Sequence, residues 1–109
     1  MKTNELKFDG LDCVQPASSD SEITGGYTSD LLSDVMAHLK EGEALLTIQA
    51  HKNTVAVATL MGAPAIIFCH GRIATADVLE AAAKENIAVF ISANSQFETT
   101  CRFAKALGI

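Results

Sequence analysis

From residue 43 onward the sequence places three short apolar runs at regular intervals: "EALLTIQA" (43–50), "APAIIFC" (63–69) and "IAVFIS" (87–92). Each is apolar at consecutive positions, not at alternate ones. A strand of this kind must be covered on both faces, which is the condition of a sheet sandwiched between helices. The intervening segments supply the helices. "NTVAVATLMG" (53–62) runs from Asn53 as cap to Gly62 as stop, and "TADVLEAAAKEN" (75–86) has Thr75 as cap. "SQFETTCRFAKALG" (95–108) opens on Ser95 and Glu98, an S-x-x-E capping box, and ends at Gly108. The links are short, so the crossovers are right-handed and the strands parallel. The expectation is a single α/β domain: a mostly parallel sheet of about four strands with helices on both faces.

The first part of the chain is less regular. "LDCVQ" (11–15) reads as a short strand and "PASSDS" (16–21) as a loop, leaving residues 1–21 a poorly defined segment ahead of a core spanning 22–109. "EIT" (22–24) reads as a brief strand that runs into Gly25 and Gly26. Leu31, Leu32, Val35, Met36 and Leu39 then share one helical face, with Ser29 or Asp30 as cap, Lys40 in the last turn and Gly42 beyond it.

A net charge of -5 repels nucleic-acid backbones and anionic lipid, so neither is an expected partner. No apolar run approaches the length of about 20 residues needed for a membrane helix. The first ten residues lack the apolar stretch of a signal peptide, and the protein is expected to be cytoplasmic. Cys13, Cys69 and Cys101 form no C-x-x-C pair and are expected to be reduced, without a metal.

Ligands of parallel sheets bind beyond the carboxyl ends of the strands. That edge carries His51 and Asn53, His70 and Arg72, and Ser92 and Ser95. If "EIT" belongs to the sheet, Gly25, Gly26 and Asp30 join them. These nine residues are the candidate ligand-binding set, suited to an anion or another polar ligand at helix N-termini. Each also has a structural reading: positive φ at a helix entry for the glycines, capping for Asn53 and Ser95, an exposed turn for His70 and Arg72. His51, between an apolar strand and an apolar helix, is expected to be partly enclosed.

No P-loop, G-x-G-x-x-G, H-E-x-x-H or G-x-S-x-G occurs, the histidines and cysteines lack zinc spacing, and no catalytic residue, cofactor or metal is assigned. The alternative is a small hydrolase or transferase with His51 as general base. "VAVATLM" (55–61) is apolar around its whole circumference. One sheet covers one side only, so Val55, Val57, Ala58 and Met61 are the expected interface of a homodimer.

"TGGYTSDLLSDVM" (24–36), "TIQAHKNTVAVA" (47–58) and "FETTCRFAKALG" (97–108) together resemble the DRTGG domain family, in order and spacing. Thr24, Gly25 and Gly26 fit the eponymous motif, whereas Glu22 and Ile23 stand where it has aspartate and arginine, so no arginine contact carries over. The resemblance implies an α/β regulatory module that dimerises. Such domains accompany CBS domains in inorganic pyrophosphatases and occur in phosphotransacetylase-like proteins, and a related region precedes the catalytic domain of HPr kinase/phosphorylase. The expected function is a non-catalytic regulatory or ligand-sensing homodimer that binds a nucleotide, another phosphorylated metabolite or a partner enzyme. The missing P-loop argues against kinase activity.

Overall fold

The computed structural model describes all residues, 1–109. After a 3-10 turn at Thr3–Glu5 come β1 (Leu11–Gln15), β2 (Gly25–Thr28), α1 (Leu32–His38), β3 (Glu43–Thr47), α2 (Lys52–Met61), β4 (Ala65–Phe68), α3 (Ala76–Lys84), β5 (Ala88–Ser92) and α4 (Gln96–Ala106). The order across the sheet is β1-β5-β4-β3-β2. β2 to β5 pair in parallel, and β1 pairs antiparallel with β5. The sheet is therefore mixed and five-stranded, which corrects the expectation of about four mostly parallel strands. β1 is an edge strand with Asp12, Cys13 and Val14 exposed, so it lacks the two-faced apolar run that marks the central strands.

The three central strands are apolar throughout because both faces are covered. Leu45, Ile66, Phe68 and Val89 point to a layer formed by α1, α2 and α3, where they meet Val35, Val55, Ala58, Val78 and Ala82. Ala44, Leu46, Ile67, Ala88 and Phe90 point to the other layer, formed by Phe103 of α4 and by Leu6, Ala17 and Ile23. The N-terminal segment thus fills part of the second layer. It is pinned by Thr3 N donating to Ser21 O and Ile23 N to Met1 O, and by a Met1 ammonium–Glu22 ion pair at 2.7 Å.

Two local expectations are corrected. "EIT" is not a strand: Ile23 packs in the core, and the double glycine itself opens β2, with Gly25 opposite Glu43 and Gly26 opposite Ala44. Neither glycine has positive φ. A Cβ on Gly26 would come within 2.6 Å of the Phe103 ring, so the glycine admits α4 close to the sheet. α1 starts at Leu32, with no side-chain cap. Leu31 and Met36 are 65% and 47% exposed, and only Val35 and Leu39 of the expected stripe are buried. α1 is a single short helix on an edge strand, so a wide apolar stripe has nothing to cover it. α2 ends as read, with Gly62 at φ 76°.

Candidate functional site

Asp30, His51, Asn53, His70, Arg72, Ser92 and Ser95 all follow the carboxyl ends of parallel strands or open the helices beyond them. Gly25 and Gly26 do not. β2 runs parallel to β3 and begins with them, so they lie at the opposite end of the sheet. They leave the candidate set for this reason.

Asp30 braces the edge. Its Oδ1 accepts from Thr47 Oγ1 at 3.1 Å and from Ile48 N at 3.0 Å, and its Oδ2 accepts from Gln96 Nε2 at 3.0 Å. One carboxylate thus joins the ends of β2 and β3 to the start of α4. This is why Asp30 does not cap α1; Ser29 Oγ accepts from Leu31 N instead. The Asp30 contact fixes the orientation of the Gln96 amide, and leaves Gln96 Oε1 buried without a partner.

The second half of the edge is laced by backbone. His70 and Gly71 are consecutive left-handed residues, at φ 59° and 62°. That turn lets His70 N donate to Asn94 O and Gly71 N to Ser92 O, both at 2.8 Å. A histidine at positive φ is uncommon and is held here by these bonds. Ser92 Oγ pairs with Thr99 Oγ1 at 2.7 Å in the buried interior and accepts from Asn94 N. Ser95 Oγ accepts from Glu98 N, capping α4. Ser92 and Ser95 are therefore engaged in structure. Beneath them, burial and the nearby Asp30 charge push the Cys69 thiol up, against a hydrogen bond from Thr99, so it stays protonated at neutral pH.

His51, Asn53, His70 and Arg72 remain exposed, with no side-chain hydrogen bonds. His51 is the N-terminal flank of α2 and is not enclosed, contrary to expectation: the chain leaves β3 and turns outward before the helix. Asn53 lies inside α2 rather than at its cap. His51 and Asn53 share a shallow cleft of about 430 Å³ with Thr75 and Asp77. A general base is normally oriented by a second group, and the His51 ring has no such partner. No three of the His, Cys, Asp and Glu side chains converge as metal ligands.

Thr47, Gln96 and Thr99 complete the edge without any signal in the sequence, because each acts through a partner distant along the chain. Of the expected interface, Val55 and Ala58 are buried in the protein's own core at 2% and 0%. Their side of α2 already meets α1, α3 and the sheet, so they are not available to a partner; Val57 and Met61 are partly buried against the same cluster. No helix is long and apolar enough to cross a membrane.

No family model matches the sequence, and no curated protein matches it. Among solved structures, the fold is similar to the crystal structure of the CBS and DRTGG domains of the regulatory region of Clostridium perfringens pyrophosphatase, complexed with its activator diadenosine tetraphosphate. The TM-score is 0.69 at 12% identity, covering 88% of this chain and 42% of that one. The chain thus spans less than half of that neighbour and shares with it a fold.

Proposed function

We propose that the protein is a non-catalytic regulatory module of the DRTGG type, which dimerises and senses a nucleotide or another phosphorylated metabolite at the carboxyl edge of its sheet. The observation that carries this reading is the fold likeness to a pyrophosphatase regulatory region, extending over 88% of the chain. The edge itself supports it. Asp30, Ser92 and Ser95 are committed to hydrogen bonds within the protein, which stiffens the edge and leaves no activated nucleophile among them. His51, His70 and Arg72 stay free to meet an anionic group. Equilibrium titration with AMP, ATP, diadenosine tetraphosphate and simple phosphorylated metabolites tests the proposal. A true ligand at 100 times its Kd adds about 2.7 kcal/mol of stability and raises the Tm by several degrees. Replacement of Arg72 by alanine is expected to weaken binding. Absence of binding across the panel at millimolar concentration would overturn the ligand-sensing assignment.

A further inference from the structure

Lys7, Arg102 and Lys105 line one cleft of about 410 Å³, together with Phe8, Asp9 and Ala106. Three of the chain's eight lysines and arginines thus share a cleft with a single carboxylate, in a protein of net charge -5. No residue of the carboxyl-edge set lines it. The fold gathers these cations, since Lys7 comes from the N-terminal segment and the other two from α4. Neither lysine takes part in an ion pair. Arg102 Nη1 donates to Asp9 O at 2.9 Å, which fixes the guanidinium across the two segments. Its Nη2 lies 3.8 Å from Glu98 Oε2, and both side chains are exposed, so that pair is weak. A lysine in the last turn suits the helix dipole, which accounts for Lys105 alone. Phe8 is half-buried against the second layer of the core and gives the cleft an aromatic wall beside the charges.

We infer that this cleft is a second anion site, separate from the carboxyl edge, and that it takes a small phosphate monoester with an apolar or aromatic body. Holding like charges together costs free energy, which a bound anion offsets. Three cations less the one carboxylate leave two positive charges in the cleft, the complement of a dianion. A carboxylate carries a single negative charge, whereas a phosphate monoester carries about 1.5 to 2 at pH 7 and offers three acceptor oxygens. Arg102, with Nη1 committed to Asp9, keeps Nη2 and Nε for such an anion, and the two lysines supply mobile point charges. Phe8 and Ala106 are left for the body of the ligand. The volume falls within the range of about 300–1,000 Å³ that small-molecule sites occupy.

Titration of the whole chain with phenyl phosphate, inorganic phosphate and benzoate, followed by NMR of the backbone amides, tests this. Shifts are expected at Lys7, Phe8 and Asp9 and along α4 from Arg102 to Ala106. Phenyl phosphate is expected to bind most tightly and benzoate least. Lys7→Glu and Lys105→Glu, both at exposed positions, are each expected to weaken binding of phenyl phosphate at least about fivefold. Lys84→Glu makes the same change in net charge on α3, in the opposite layer, and is expected to leave it unchanged. No shift at the cleft residues up to about 20 mM phenyl phosphate overturns the inference. Shifts confined to His51, His70 and Arg72 also overturn it, while leaving the carboxyl-edge reading in place. Equal weakening by Lys84→Glu would show that net charge alone acts. Benzoate matching phenyl phosphate overturns the assignment to a phosphate, and inorganic phosphate matching it overturns the part given to Phe8.

Discussion

Gly25 and Gly26 are neighbours with different constraints. A Cβ at Gly25 meets only the Glu43 side chain, at ordinary distances of 3.7 and 3.8 Å. A Cβ at Gly26 meets the buried Phe103 ring at 2.6 Å and Leu46 Cδ1 at 3.2 Å. Gly26→Ala is expected to lower stability by about 1–3 kcal/mol through overpacking. Gly25→Ala is expected to be neutral or to stabilise by up to about 1 kcal/mol, since glycine is unfavourable in a strand. Urea denaturation of the two variants checks this, and equal midpoints would show that α4 does not depend on the missing Cβ. Phe103→Leu on the Gly26→Ala background is expected to recover part of the loss.

At the level of elements, α1 is tied to β2 by side chains more than by burial. The Tyr27 hydroxyl donates to Asp34 Oδ2 at 2.7 Å, His38 Nδ1 approaches Asp34 Oδ1 at 3.0 Å, and the Tyr27 and His38 rings stack at 6.3 Å. The Tyr27 hydroxyl, then Ser29 and His38, hold the Asp34 carboxyl below the usual range, while the same Asp34 bond pushes the Tyr27 phenol up. The signs set a pH window. A depressed carboxyl contributes stability above its unfolded value of about 4, lost as pH falls through the folded value. A raised phenol contributes below its unfolded value of about 10, lost as pH rises further. The attachment of α1 is thus expected to weaken at both extremes. Denaturation midpoints measured across pH check it: wild type is expected to be more stable than Tyr27→Phe near neutral pH, with the difference shrinking in strong acid and strong base, and a constant difference at all pH values would contradict it.

At the scale of the molecule, residues 1–21 complete the second layer of the core. Leu6 and Ala17 are 3% and 6% exposed, and β1 covers the open edge of β5. Removing this segment is expected to destabilise the fold by at least about 3 kcal/mol and to cause aggregation, because Phe90 and the β5 edge become exposed. A truncated chain that unfolds with the wild-type midpoint would show the segment to be dispensable. The β1 amides are likewise expected to exchange with solvent faster than those of β4.

The alternation of two-faced apolar runs with capped helices is a local property, so β3, α2, β4, α3, β5 and α4 were all legible from the sequence, along with the Gly62 stop and the Ser95 cap. Burial on both faces leaves its mark in every residue of such a strand. Edges leave no such mark. β1 was read from "LDCVQ" as a short strand but not as part of this sheet, since it is bonded on one side and largely exposed; β2 starts at two glycines, so "EIT" offered a more strand-like pattern than the strand that forms. The gathering of Asp30, His51, Asn53, His70, Arg72, Ser92 and Ser95 at the carboxyl edge followed from strand order and polarity, which short crossovers dictate. Which groups the edge uses for bracing did not, because Asp30 and Gln96 meet across 66 residues. The reason for Gly26 was equally hidden. It lies in the Phe103 ring on another element, and a close approach between distant segments is set only when α4 folds back over the sheet.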